Sequence, residues 1–201
     1  MKDGKRFPVV EENYRFECTL CGNCCTGDQR VWLNPADLMR MALFLGYGHT
    51  SELFRQNVVL LDEGENGAWR PRILFKSYKK LRFCPFLENH LDDRGRITGL
   101  CRLHPKYKPL ICRLAPLGRV WDAETGSEQW LFVKPAPDCP GVNSSRLNSL
   151  RETLQQYGSE IEEETAFLKK LQHFLEMKSE PEAYQELFYF IVKRKGEGDK
   201  R

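Results

Sequence analysis

Eight cysteines, four of them packed into eight consecutive residues, constrain this 201-residue chain more than any other feature. The run Cys18-Thr-Leu-Cys21-Gly-Asn-Cys24-Cys25 is followed by single cysteines at Cys84, Cys101, Cys112 and Cys139. Thiolates held this close together repel one another unless a cation binds them. The spacing therefore predicts a core assembled around one or two thiolate-bound metal centres.

Disulfide bonds are the alternative use for an even number of cysteines. Residues 1–7 are charged with no apolar stretch after them, so no secretory signal is visible and we expect a reducing, cytoplasmic location. A chain of 201 residues can also bury a core without covalent crosslinks. Adjacent Cys24 and Cys25, and the close spacing of Cys18 and Cys21, suit metal chelation better than crosslinking.

The spacing of the first four cysteines favours an iron–sulfur cluster over Zn2+, although thiolates bind both. Cys18, Cys21 and Cys24 match the first three ligands of the ferredoxin pattern Cys-x2-Cys-x2-Cys-x3-Cys-Pro. The fourth ligand has to come from a distant Cys-Pro pair, and both Cys84-Pro85 and Cys139-Pro140 qualify. Zinc ribbons need two Cys-x2-Cys knuckles, and only the first group has that spacing. We therefore expect a [4Fe–4S] cluster, with Zn2+ as the alternative.

Positive charge is concentrated around the later cysteines. From Arg70 to Arg119 there are thirteen Lys or Arg residues against three acidic ones, a net charge of +10 in a chain whose total is +3. We interpret this patch as compensation for an anionic thiolate centre, with Arg102 and Arg113, each directly after a cysteine, as candidate charge partners. A nucleic-acid surface is the alternative, but no aromatic-interleaved basic motif or helix-turn-helix accompanies the patch. His104 is a candidate further ligand or hydrogen-bond donor.

The local patterns predict an α+β protein with an irregular cysteine-rich metal-binding core, short β-hairpins and packed helices. The predicted elements of the first two thirds are a helix from the N-cap Asn34 to Gly46, a short helix within 51–60, a strand at 73–75, a hairpin of 84–87 with 97–101, a helix over 106–113 carrying Cys112, and a hairpin of 120–121 with 130–133.

The C-terminal third is predicted to be helical. Apolar residues spaced three or four apart from Leu147 to Leu175 indicate one long helix, with a kink at Gly158 as the alternative. Ser179 resembles the first residue of a capping box. It starts a last helix whose inward residues are Tyr184, Leu187, Phe188, Ile191 and Val192.

We divide the chain into a metal-binding domain, 1–142, a helical extension packed on it, 143–194, and a disordered tail, 195–201. No apolar run reaches membrane-spanning length, so no membrane is expected as a partner. The apolar stripe of the long helix could pair two chains as a coiled coil, but we favour packing on its own domain in a monomer.

Several motifs taken together resemble the YkgJ-like cysteine-cluster family, which is described as carrying a zinc- or iron-chelating domain. The motifs are Cys18-x2-Cys21-Gly-x-Cys24-Cys25, Cys84-Pro-Phe-Leu, Cys101-x-Leu-His104 and Lys108-Pro109-x2-Cys112-Arg113-x2-Pro116, within residues 16–141. The resemblance implies that all eight cysteines are metal ligands. A flagellin lysine methylase is thought to share a similar cysteine region, which makes methyl transfer from S-adenosylmethionine a remote alternative.

These patterns together predict an iron–sulfur protein with a redox or electron-transfer role and an unidentified redox or protein partner. The alternative is a protein whose zinc sites are structural and whose surface binds a partner. No Ser/His/Asp grouping, phosphate-binding loop or dinucleotide fingerprint is present, so we assign no catalytic residue outside the metal centre.

Overall fold

Short antiparallel β-ladders and helices make up this chain. The computed structural model describes residues 7–27, 29–64, 67–91, 93–95, 97–177 and 180–193. Within these ranges, ten strands pair two by two: β1 (Asn13–Arg15) with β10 (Leu147–Ser149), β2 (Val59–Glu63) with β3 (Trp69–Ile73), β4 (Lys76–Tyr78) with β5 (Leu81–Phe83), β6 (Leu87–Leu91) with β7 (Ile97–Cys101), and β8 (Leu117–Trp121) with β9 (Glu128–Phe132). The same ranges hold the helices α1 (Pro35–Leu45), α2 (Ser51–Arg55), α3 (Leu110–Leu114), α4 (Leu150–Glu176) and α5 (Pro181–Phe188). The predicted α+β class is confirmed.

Helix α1 begins and ends where its sequence signals predict. The Asn34 side chain accepts a hydrogen bond from the Asp37 N–H at 2.8 Å, and the Asp37 carboxylate accepts one from the Asn34 N–H at 3.2 Å. Pro35 occupies the first helical position, and Gly46 ends the helix with φ 75°. This reciprocal capping satisfies backbone donors that would otherwise be left buried without partners.

Three predicted elements have different bounds. The helix expected within 51–60 ends at Arg55, and the chain then enters strand β2 at Val59. The strand expected at 73–75 lies at Trp69–Ile73, paired with β2. The helix expected over 106–113 begins only at Leu110, because Pro109 has an extended ψ of 148° at the N-cap. A proline lacks the N–H needed inside a helix, so the chain starts the helix after it.

Both predicted hairpins of the cysteine-rich region are confirmed, with shifted strands. In β6–β7, Leu87 lies opposite Cys101, so Cys101 ends its strand as expected. Cys84 precedes β6 instead of lying on it, and its N–H donates to the Cys25 carbonyl at 2.8 Å. The second hairpin extends from Leu117 to Phe132. The shift at Cys84 joins the first cysteine loop directly to this hairpin.

Helix α4 runs without interruption through Gly158, so the single-helix prediction is confirmed and the kink is not seen. It starts later than its apolar stripe. Leu147 lies in β10, paired with Arg15, and its side chain is 58% exposed. Ser149 caps the helix by accepting a hydrogen bond from the Glu152 N–H at 3.3 Å. The apolar spacing of α4 therefore extends back into β10, and periodicity alone does not show where the strand ends and the helix begins.

We expect Gly158→Ala to raise the free energy of unfolding by about 1 kcal/mol, because alanine reduces the backbone entropy of the unfolded chain at an interior helix position. A Cβ placed at Gly158 has no atom within 4 Å. Urea unfolding of the variant and the wild type measures the difference. A loss of stability would show that the helix is not continuous there.

The last helix, α5, ends at Phe188, earlier than predicted. Tyr184, Phe188 and Val192 are buried as expected, whereas Ile191 is 71% exposed and was wrongly placed inward. Beyond Phe188 the chain is extended, and Ile191 forms an isolated bridge with His49, so its side chain leaves the helical face. The predicted capping box at Ser179 and the tail 195–201 lie outside the described residues.

Two hydrophobic cores hold the fold. The first joins α1, α2, β2, β3 and the segment around Cys84 to the second half of α4 and to α5. The second joins β8, β9 and α3 to the first half of α4. The α4 stripe is therefore packed within its own chain. No helix among the described residues is long and apolar enough to cross a membrane.

Asp37 links the two cores. Its carboxylate, 1% exposed as a residue, accepts hydrogen bonds from the Leu110 N–H at 2.9 Å and from Arg40 at 2.6 Å. Leu110 begins α3 and belongs to the second core, whereas α1 lies in the first. A buried carboxylate is tolerated only when its oxygens are paired in this way. The contact fixes the position of α3, which carries Cys112.

Candidate metal centre

A tight turn places the first cysteines. Gly22 adopts φ 75°, the 3-10 turn Asn23–Cys25 follows it, and the Cys25 N–H donates to the Gly22 carbonyl at 2.8 Å. Cys21 forms an isolated parallel bridge with Gly99 of β7, whose N–H donates to the Leu20 carbonyl at 2.7 Å. The loop therefore lies directly on the β6–β7 hairpin.

We expect Gly99→Ala to cost about 1–3 kcal/mol of stability, because added bulk in a closed contact forces the backbone to move. A Cβ at Gly99 would overlap the Cα of Gly22. Since Gly22 lies between two cysteines, the variant should also retain less metal. The measurements are urea unfolding and metal content, with Gly48→Ala as the matched control because a Cβ there meets nothing within 4 Å. Equal behaviour of the two variants would contradict this packing.

One group of cysteines is centred on Cys25, which lies within electrostatic range of Cys84, Cys101 and Cys112. The Cys84 N–H donates to the Cys25 carbonyl at 2.8 Å, which holds these two residues side by side. Cys84 is in the first core, and Cys25 and Cys101 pack against it. Cys112 lies on α3 between Leu110 and Leu114, which belong to the second core. Four separate segments thus deliver one thiol each.

Burial and neighbouring cysteines raise the pKa values of Cys25, Cys101 and Cys112. The hydrogen bond from the Cys24 thiol lowers the pKa of Cys25, but Cys84, burial and Cys101 raise it, for a net value of about 12. Burial raises the pKa of Cys112, and repulsion by Cys25, Cys24 and Cys101 adds to it. Such a group becomes anionic only when a cation offsets the charge, as expected of a soft-metal site.

The second group contains Cys21, Cys24 and Cys139. Burial raises the pKa of Cys139, and repulsion by Cys21 and Cys24 adds to the shift. The Cys24 and Cys25 sulfurs are 4.0 Å apart, so the two groups adjoin. The hydrogen bond with Cys25 is the main reason that the pKa of Cys24 is raised far above its ordinary value.

Cys18 is exposed, and the residue before it contacts the segment that follows Cys139. The preceding residue, Glu17, donates its N–H to the Gly141 carbonyl at 3.1 Å, and a Cβ on Gly141 would overlap the Glu17 carbonyl oxygen. This close backbone contact brings the Cys18 segment against the segment of Cys139. Cys18 is exposed, as an opening ligand of a surface loop would be.

Backbone amides lower the pKa values of two of the cysteines. The amides of Leu103 and His104 act in this way on Cys101, although burial raises its pKa overall. Gly141 and Val142 do the same for Cys139. Amide donors stabilise thiolates and set the potential of iron–sulfur clusters.

Lys108 is the basic residue that acts on several of the cysteines, and the sequence analysis did not name it as a charge partner. Its charge lowers the pKa of Cys24, Cys101 and Cys112. The two predicted charge partners have other contacts: Arg113 donates to Glu160 at 2.9 Å, and Arg102 lies 5.6 Å from the centre of the Phe44 ring. The sequence does contain an indication of this role, because Lys108 lies four residues before Cys112. In the predicted helix over 106–113 that spacing is about one turn, which would place the two side chains on the same face.

His104 is exposed and precedes a cis peptide bond to Pro105. Its backbone N–H donates to the Cys101 carbonyl at 2.9 Å, and ligation by its ring stays a prediction. All eight cysteines are free of disulfide bonds. In the part of the chain that the structure describes, no three His, Cys, Asp or Glu side chains stand as a preformed metal cage.

The structure is that of an α+β protein in which cysteines from distant segments lie within electrostatic range of one another. Comparisons with protein-family models, curated proteins and solved structures find no match. The resemblance to the cysteine-cluster family, and the metal ligation that it implies, therefore stay predictions.

Proposed function

We propose that this protein binds two adjacent four-thiolate metal centres, one formed by Cys18, Cys21, Cys24 and Cys139 and the other by Cys25, Cys84, Cys101 and Cys112. The observation that carries the proposal is the convergence of cysteines from distant parts of the sequence into these two neighbouring groups. The donor set fits a soft cation, because crowded thiols with raised pKa values release protons when a metal binds.

Iron–sulfur clusters are the centres that this arrangement supports best. Cys139 is followed by Pro140 and lies with Cys21 and Cys24, so it supplies the distant Cys-Pro ligand that completes a ferredoxin-type set. The amide donors at Cys101 and Cys139 are of the kind that tunes cluster potentials. A bound [4Fe–4S] cluster would supply one-electron transfer. The chain's own residues would hold it, exclude water from Cys84 and Cys139, and offset its charge through Lys108.

Structural zinc is the second candidate, and the first group of thiols, the one centred on Cys25, favours it. Cys25, Cys84, Cys101 and Cys112 come from four segments packed on the cores, so a closed tetrahedral ion there would tie those segments together. Zinc binding of this kind contributes directly to folding. It carries no redox chemistry, and the protein would then act through its surface.

Reduction of anaerobically purified protein separates the two candidates. Iron–sulfur centres predict a broad visible absorbance that bleaches with dithionite and an electron paramagnetic resonance signal in the reduced state. A colourless protein that retains zinc and does not respond to dithionite would replace the redox function by the structural one. A colourless protein without either metal would contradict both.

A further inference from the structure

The structure sorts the basic residues of the 70–119 patch by what they contact. One of them, Lys108, acts on the cysteines. Six have a partner elsewhere: Arg70 with the Trp32 and Phe167 rings, Arg72 with Asp62, Arg102 with Phe44, Lys106 with Tyr107, Arg113 with Glu160, and Arg119 with Glu128 and Glu164. Charge compensation at the metal centre therefore does not account for the whole patch.

The lysines that remain lie on the β4–β5 hairpin, Lys76–Phe83. Lys76, Lys79 and Lys80 are exposed, and no described carboxylate forms an ion pair with them; the Lys79 ammonium lies 5.6 Å from the centre of the Tyr78 ring. With Arg82 the hairpin carries four cations and no acidic residue. A concentration of one sign on an exposed element attracts a partner of the opposite sign.

The same hairpin exposes an apolar pair. Tyr78 and Leu81 are cross-strand partners, so their side chains lie on one face, and they are 68% and 59% exposed. A two-stranded ladder on its own has little stability, and these two side chains add little to it while they stay in contact with water. An apolar centre with a charged rim is typical of a protein–protein contact. The phosphate backbone of a nucleic acid would bind the lysines but has no apolar surface to contact Leu81.

The base of the hairpin is hydrogen-bonded to the cysteine loop. The Gly27 N–H donates to the Arg82 carbonyl at 2.9 Å, and Thr26 forms a bridge with Phe83. Cys84 follows the hairpin directly. At about 3.3 Å per residue, Leu81 is roughly 10 Å along the chain from Cys84. A partner bound at the hairpin would stand beside the proposed metal centres.

We propose that the β4–β5 hairpin is the docking element for a protein partner that presents an acidic face around an apolar patch. The inference rests on the proposed function in one respect: the partner is taken to be a protein that uses the metal centres. The contact itself depends only on the hairpin. Lys76, Lys79 and Lys80 supply the charged rim, and Tyr78 with Leu81 supplies the apolar centre.

Fluorescence anisotropy with a labelled acidic peptide of Glu, Asp, Leu and Trp tests the docking site on the full-length, anaerobically purified protein. We expect Lys79→Glu/Lys80→Glu and Tyr78→Ser/Leu81→Ser each to weaken binding by about ten-fold, through lost charge and lost apolar contact respectively. The matched control is Lys169→Glu/Lys170→Glu, an exposed lysine pair on α4, which should change binding by less than about two-fold.

Three results would overturn the proposal: no peptide binding by the wild type, equal loss in the α4 control, or charge reversal acting while Tyr78→Ser/Leu81→Ser has no effect. A single-stranded oligothymidylate and phosphatidylglycerol vesicles serve as competing probes, and preferential binding of either one, lost in the hairpin variants, would replace the protein partner. Metal content of the same samples separates the two hypotheses. Peptide binding by metal-free protein would leave the docking site standing and remove the metal-centre function.

Discussion

Replacing Cys18 and Cys139 by serine is expected to remove one metal centre and leave the other in place. Both residues are assigned to the proposed centre of Cys18, Cys21, Cys24 and Cys139, and Cys18 is exposed, so the cores should survive the change. A serine hydroxyl is a poor ligand for a soft metal, so bound metal should fall to about half. Metal analysis and visible absorbance measure the loss.

The complementary variant is Cys101→Ser/Cys112→Ser, which should remove the other half of the metal. Its thermal unfolding temperature should also fall, because Cys101 packs against the first core and Cys112 lies between residues of the second. If Cys18→Ser/Cys139→Ser removed all of the metal, or none, the division into two four-thiolate centres would be wrong.

The Asp37→Ala substitution is expected to cost about 4 kcal/mol of the free energy of unfolding. It leaves the buried Leu110 N–H and the Arg40 guanidinium without their acceptor and removes half of the α1 capping box. Losing one partner of a buried charged network costs roughly 3–5 kcal/mol. Urea unfolding measures the change. Metal content should also fall, because α3 carries Cys112.

Asp62→Ala is the matched control, since Asp62 pairs with Arg72 at 2.5 Å near the surface, with its side chain 33% exposed. Exposed pairs contribute about 1 kcal/mol or less. Asp37→Asn should lie between the two, because the amide oxygen still accepts one hydrogen bond. An Asp37→Ala variant as stable as Asp62→Ala would show that Asp37 does not join the cores.

The bounds of an element were predicted correctly where capping and terminating residues stand at its ends. Helix α1 has Asn34, Pro35 and Gly46 at its boundaries, and all three act as the sequence indicates. Periodicity alone was less reliable. Leu147 continues the spacing of α4 yet lies in β10, and Ile191 continues that of α5 yet is exposed, because each lies where the backbone has left the helix.

The candidate site was predicted by residue type and not by grouping. The spacing of Cys18, Cys21 and Cys24 indicated a thiolate centre, but two distant Cys-Pro pairs were equally acceptable as its fourth member. The structure places Cys139 with Cys21 and Cys24, and Cys84 with Cys25. That choice depends on tertiary contacts between segments more than fifty residues apart, which no local spacing encodes.

Contacts between charged or polar groups far apart in the chain also could not be predicted from the sequence. The hydrogen bond from the Leu110 N–H to Asp37 became visible only once α1 and α3 were placed together. Arg113 was expected at the cysteines because it follows Cys112. On the short helix α3 it reaches Glu160 instead.

The most direct test of the account is the iron, zinc and acid-labile sulfide content of the full-length protein purified without oxygen. Two [4Fe–4S] clusters predict about eight iron and eight sulfide per chain, and two zinc sites would predict about two zinc and no sulfide. A folded protein containing neither iron nor zinc would contradict the central claim that its eight cysteines bind metal.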